Sequence, residues 1–186
     1  GLVTGSSYDG SFSETTAASF EAEFGIGAVD GTAGEEAVGT AYGFQIDLST
    51  SFTGEDSFDV SIDAGSSAAS LDQLDLNGGS DALTVDGISY TFPLGDKTTV
   101  FVGDSVDGSS LYNTACVYGG QTINIDDCGN SGAAMASSIT GKTAAGASYD
   151  FGNGWTAALG YEGQGSLATK GVFTKEGINI FGGQVT

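Results

Sequence analysis

Residues 42–64 read YGFQIDLSTSFTGEDSFDVSIDA. Tyr42, Phe44, Ile46, Leu48 and Phe52 take even positions, against Gly43, Gln45, Asp47, Ser49 and Ser51 at odd ones. After Thr53-Gly54-Glu55-Asp56, the even residues Phe58, Val60, Ile62 and Ala64 alternate with Ser57, Asp59, Ser61 and Asp63. Successive side chains of a strand point to opposite faces, so the pattern predicts a hairpin with one apolar face and one acidic, hydroxyl-rich face. Its first strand has about the length a tilted strand needs to cross a bilayer. The apolar face therefore has two possible destinations, a protein core or lipid.

The same period recurs outward from this hairpin. Phe20, Ala22, Phe24, Ile26 and Ala28 alternate with Ser19, Glu21, Glu23, Gly25 and Gly27. Ile88, Tyr90, Phe92 and Leu94 alternate with Gly87, Ser89 and Thr91, with Pro93 near the strand end, where a missing N–H costs least. Gly95-Asp96-Lys97 then leads into residues 98–103. Ala145, Ala147, Tyr149 and Phe151 run into Gly152-Asn153-Gly154, and Trp155, Ala157, Leu159 and Tyr161 run out. Asn-Gly is a strong hairpin signal because both central residues accept positive φ. A last strand or two is expected within 171–185, which makes about eight to nine in all. Short turns (53–57, 95–97, 152–154) alternate with longer connections (30–40, 65–82, 104–138, 162–170). Helical periodicity is confined to a short stretch at Gly132–Ser138. The expected fold is all-β, an antiparallel transmembrane β-barrel whose short turns lie on one side and long loops on the other.

Composition narrows the function. The 186 residues include 32 Gly, one Pro and no His, and all four basic residues are lysines (Lys97, Lys142, Lys170, Lys175). Against them stand 24 Asp and Glu, a formal charge of −20, which argues against nucleic acid and anionic surfaces as partners and favours cations. Without His there is no Ser-His-Asp or Cys-His arrangement, so no catalytic residue is assigned and no enzyme is expected. Gly152-Asn153-Gly154 lacks the Lys and helix of a phosphate loop. Eleven Phe, seven Tyr and one Trp in periodic runs oppose disorder. No long apolar stretch marks a transmembrane helix, and a barrel leaves no such peak.

Candidate functional residues follow from the two faces. In a barrel, Glu21, Glu23, Gln45, Asp47, Asp59, Asp63, Asp150 and Glu162 alternate with lipid-type positions and would line a negative lumen; otherwise they are the wet face of a sheet. Phe52, Phe58, Phe92, Phe101, Tyr149, Phe151 and Trp155 gather near the short turns, as a membrane-interface girdle or as ordinary cross-strand packing. Cys116 and Cys128, twelve residues apart, read either as a disulfide closing a loop or as two buried thiols. A disulfide there would contribute about 2–3 kcal/mol. No cofactor is expected. Asp9-Gly10, Asp30-Gly31, Asp86-Gly87, Asp107-Gly108 and Gly78-Gly79-Ser80-Asp81 read as turn residues, or else as calcium-binding loops of a secreted or surface-layer sandwich or solenoid.

The segments LSTSFTGEDSFDVSIDAG (48–65), LTVDGISYTFPLGDKTTVFVGD (83–104) and GASYDFGNGWTAALGYEG (146–163) resemble the barrel of cyanobacterial outer-membrane porins, the carbohydrate-selective or iron-uptake group. Thr-Ala-Cys-Val-Tyr-Gly-Gly and Asp-Asp-Cys-Gly resemble the marine picocyanobacterial branch, and the likeness covers most of 40–175. It implies an outer-membrane barrel that passes small solutes or ions and assembles as a homotrimer. It further implies an N-terminal S-layer-homology domain that grips peptidoglycan, and a longer barrel. Neither is present in residues 1–186, and the final Phe181-Gly182-Gly183-Gln184-Val185-Thr186 lacks the terminal aromatic usual in such barrels. The expectation is a partial barrel domain.

Overall fold

The computed structural model describes residues 15–28, 30, 37–66, 76, 81–113, 139, 142–165 and 170–186. Eight strands occupy them: β1 (Thr16–Gly27), β2 (Gly39–Thr50), β3 (Ser57–Ser66), β4 (Thr84–Pro93), β5 (Thr98–Asp104), β6 (Lys142–Asp150), β7 (Thr156–Gln164) and β8 (Asn179–Val185). All belong to one antiparallel sheet in sequence order, and no helix occurs among the described residues. The chain is all-β, as its period of two predicts. The expected helical stretch at 132–138 and both cysteines lie outside the described residues.

Register places an alternating apolar set from each strand on one face, with Phe101 and Ile180 on the other. Phe20 pairs Ile46, Ile46 pairs Ile62 and Ile62 pairs Val85. Tyr90 pairs Val102, Val102 pairs Ala145, Ala145 pairs Tyr161 and Tyr161 pairs Phe181. A register shift between Ser61 and Ile62 carries the alternation past Asp86 and brings Val85 back to the apolar face. This bulge starts β4 at Thr84, earlier than the alternation from Ile88 marks.

Because each strand reverses the last, connections 51–56, 94–97 and 151–155 gather at one end of the sheet. The strand ends that the longer connections 28–38, 67–83, 105–141 and 165–178 join lie at the other. The third short turn differs from the expected Asn-Gly geometry. Gly152 (φ 79°) and Gly154 (φ 88°) take the left-handed positions on either side of Asn153, and Phe151 N donates to Trp155 O at 3.1 Å. The segment 171–185 holds one strand, β8, preceded by a tight knuckle at 170–178.

On the apolar face Phe24 is 86% exposed, Leu159 70% and Phe181 69%. The largest fully buried side chains are Phe101, Glu162 and Ser109. Phe101 and Glu162 lie on the polar, small-residue face, where Thr91 pairs Phe101 and Ala144 pairs Glu162.

Candidate functional site

The polar face has two halves. Across β1–β3 it is carboxylate-rich: Glu21 pairs Gln45, Gln45 pairs Asp63, and Asp59 pairs Ser49. Hydroxyls and amides hold these carboxylates in place. Asp47 accepts from Ser61 Oγ (2.6 Å), Gln45 Nε2 (2.8 Å) and Ser19 Oγ (3.4 Å). Ser57 Oγ donates to Asp59 at 2.7 Å, and Thr84 Oγ1 donates to Asp63. No described Lys lies on these three strands. Register therefore brings Glu21, Glu23, Gln45, Asp47, Asp59 and Asp63 onto one surface, as alternation predicts.

Across β4–β8 the same face is rich in Gly, Ala and Ser, with Phe101, Glu162 and Ile180 among them, and a strap of residues 105–113 lies on it. Ser105, at φ 58°, turns the chain back as it leaves β5, and its N–H donates to Lys142 O at 2.8 Å. Val106 fills the space over Gly87 and Gly103, where added Cβ atoms would meet its methyls at 2.9 and 2.5 Å. A Cβ on Gly160 would stand 2.0 Å from Gly108 O, so only glycine admits the strap backbone there. Gly108 N donates to Glu162 Oε1 at 2.8 Å, and Lys142 Nζ forms an ion pair with Asp107. Tyr112 packs on Ala158 and Ile180. Asn113 closes the far end: Gln184 Oε1 accepts from its N–H at 2.7 Å, and its Nδ2 donates to Thr156 Oγ1 at 3.0 Å. Thr156 begins β7 at the short-turn end, so the strap runs the length of the sheet.

Two expected lining residues have other surroundings. Glu162 is on the polar face but fully covered, because the strap amide of Gly108 sits on its carboxylate. Asp150 accepts from Gly152 N at 2.7 Å and caps the turn after β6. Alternation gives a residue's face; it carries no information on what a distant segment lays over it.

The aromatics form two bands on the apolar face. Near the short turns Phe52 packs with Phe58 and Tyr90 (centroids 6.1 Å each), Tyr90 stacks on Phe92 (5.4 Å) and Tyr149 meets Phe151 edge-on (5.0 Å). Trp155 is exposed beside them. Near the long connections Phe24 packs with Tyr42, and Tyr161 with Phe173 and Phe181. Between the bands Ile46 pairs Ile62, and Leu48, Val60 and Ile88 pair in turn, with Phe20, opposite Ile46, stacked on Phe44 (5.7 Å); Val100 and Val102 pair Phe92 and Tyr90 of the short-turn band. Phe101 is the exception among the expected girdle residues. It is 0% exposed on the opposite face, its ring resting where Gly146 leaves no Cβ.

Asp56 organises the first short turn. Its Oδ1 accepts from Ser51 Oγ (2.7 Å), Thr53 N and Oγ1 (2.8 Å each) and Phe52 N (3.0 Å), and Oδ2 accepts from Tyr90 OH (2.7 Å). The Ser51 hydroxyl first, then the Thr53 amide and the Tyr90 and Thr53 hydroxyls, hold its carboxyl well below the usual carboxylate range, against the opposing effect of burial.

Among the described residues no group of three or more Asp, Glu, Cys or His side chains comes together as a metal cage. Of the loops read as possible calcium sites, residues 9–10, 31 and 78–80 lie outside the described residues. Asp81 accepts from Tyr42 OH at 2.7 Å, and Asp107 is paired with Lys142. Comparison with protein-family models, with curated proteins and with solved structures returned no match.

Proposed function

We propose that this chain is a wall of an outer-membrane β-barrel porin, through which small solutes and cations diffuse passively. One observation carries the reading: the exposed large apolar side chains of β1, β4, β5, β7 and β8 (Phe24, Val85, Val102, Leu159 and Phe181 among them) all lie on the apolar face, with those of β2 and β3 half-buried, while the polar face of β4–β8 carries the chain's own strap. In water, a sheet face with Phe20, Phe24, Ile26, Val85, Val102, Leu159, Phe181 and Val185 exposed would aggregate. Against lipid the same arrangement is favourable, provided a water-filled interior receives the carboxylates.

The two aromatic bands add support. Tyr42 and Phe52 are separated by roughly 33 Å of extended chain, which a tilt of about 40° shortens to about 25 Å, the height of an outer-membrane apolar band. Bands of Phe, Tyr and Trp at both edges of an aliphatic zone match the two membrane interfaces. Among the described residues β1 and β8 stand at the two edges of the sheet, and a closed barrel would set further strands beside them, with a homotrimer and an N-terminal peptidoglycan-gripping domain as the wider assembly.

On this reading the strap is an inward fold that narrows the passage along β4–β8. Solutes then move beside the carboxylates of β1–β3, whose negative field concentrates cations and repels anions. Protein folded in detergent and added to a planar bilayer should give stable conductance steps, with a reversal potential in a salt gradient that favours cations. Folded protein that opens no channels would sink the transport reading.

A further inference from the structure

Between β7 and β8, residues 170–178 close on themselves at the long-connection end of the sheet. Thr174 Oγ1 donates to Gly171 O at 2.8 Å, and Gly177 N donates to Thr174 Oγ1 at 3.2 Å. Asn179 is the hub. Its Oδ1 accepts from Tyr161 OH (2.6 Å) and Phe173 N (2.9 Å), and its Nδ2 donates to Thr174 O (2.9 Å) and Gly177 O (3.0 Å). Phe173 is held at φ 60°, a conformation that a bulky residue adopts only under constraint from its surroundings. The constraint fixes its ring flat on Tyr161, with centroids 4.3 Å apart and planes 18° apart, while the ring remains 71% exposed.

The charge around this ring is unusual for the chain. Lys170 and Lys175, both exposed, are two of only four lysines in a molecule of formal charge −20, and Glu176 is the one acidic residue between 170 and 178. Of the other two, Lys142 is engaged by Asp107 and Lys97 lies at the opposite end of the sheet. Exposed Val172 and Ile178 widen the apolar tip. A rigid aromatic tip with exposed lysines three residues before and two after it in the chain, continuous through Tyr161 and Phe181 with the apolar face, fits the boundary where acyl chains meet phosphates.

We propose that this knuckle docks phosphate-bearing lipid headgroups, with Phe173 seated at the acyl boundary and Lys170 and Lys175 on the phosphate oxygens. The proposal rests on the membrane reading above, which supplies the lipid against the contiguous face. An ammonium on a flexible stem suits phosphate as a point-charge partner.

The test uses full chain carrying F173W and W155F, so that the single indole reports on the knuckle. It is reconstituted in phosphatidylcholine vesicles with and without anionic phosphatidylglycerol carrying brominated chains. The indole of F173W should be quenched by the brominated anionic lipid, with a preference over brominated phosphatidylcholine that falls about tenfold in K170Q/K175Q. K97Q should leave that preference unchanged. Conductance is recorded on the same samples, so the two readings fail separately. Channels that persist while K170Q/K175Q alters nothing, or while K97Q matters equally, overturn the headgroup site alone. In channel-forming samples, an indole quenched by neither brominated lipid overturns it too, because the ring then does not sit at the acyl boundary. Wild-type chain that never enters vesicles overturns both.

Discussion

Asp56 receives five hydrogen bonds from one turn and one neighbouring strand, and it does so only as a carboxylate. Its folded carboxyl titrates below the unfolded one, so its contribution is fully present above the ordinary carboxylate pKa of about 3.9 and is lost as pH falls toward the depressed folded value. Thermal melting of detergent-folded protein should therefore lose midpoint steadily below about pH 4. D56N, which cannot accept on both oxygens with the same strength, should melt lower at neutral pH and lose that acid dependence. An unchanged pH profile in D56N would show that other carboxylates govern the acid transition. The turn was readable as a turn from Thr53-Gly54-Glu55-Asp56. That Tyr90, 34 residues away, completes the cage was not, because the link depends on β3 pairing β4.

At the scale of elements, the strap depends on two complementary features: the acceptor of Glu162 and the missing Cβ of Gly160. E162A would leave the buried Gly108 N–H without that acceptor, at about 1–3 kcal/mol, whereas E162Q retains an oxygen in place. G160A would drive a methyl group into Gly108 O. Hydrogen exchange at the Gly108 amide should quicken in E162A and G160A and change little in E162Q, with larger single-channel conductance in the first two. Equal exchange in all three would mean that Lys142–Asp107 and the Asn113 contacts hold the strap without them. The strands themselves were legible, since period-two alternation needs only near neighbours in sequence. Phe101 was assigned to the wrong face because Val100, Phe101 and Val102 are all apolar and give no alternation. The deciding residue is Gly146, which register sets opposite it. The strap was illegible for a related reason: its seat is assembled from Gly87, Gly103 and Gly160 on three strands, and each alone reads as an ordinary strand glycine.

For the whole molecule, the question is which solvent each face meets, and a lysine placed on either face answers it. Leu159 lies within β7 on the apolar face, flanked by Ala147 and Gly183. If that face meets water, L159K replaces an exposed leucine with a charge and changes stability by less than about 0.5 kcal/mol. If it meets lipid, the charge should cost about 2–4 kcal/mol near the midplane. Ser49 is exposed on the polar face, opposite Asp59. S49K there should leave stability nearly unchanged and weaken cation preference by placing an ammonium beside Asp59 and Asp47. Unfolding in lipid vesicles and reversal potentials in bilayers measure the two effects. Destabilisation by L159K with tolerance of S49K fits the lipid-facing wall; the opposite ranking would place water on the apolar face. The alternation in residues 42–64 leaves both destinations open. The exposure of Phe24, Leu159 and Phe181, set against the covered Phe101 and Glu162, is what makes the lysine pair decisive.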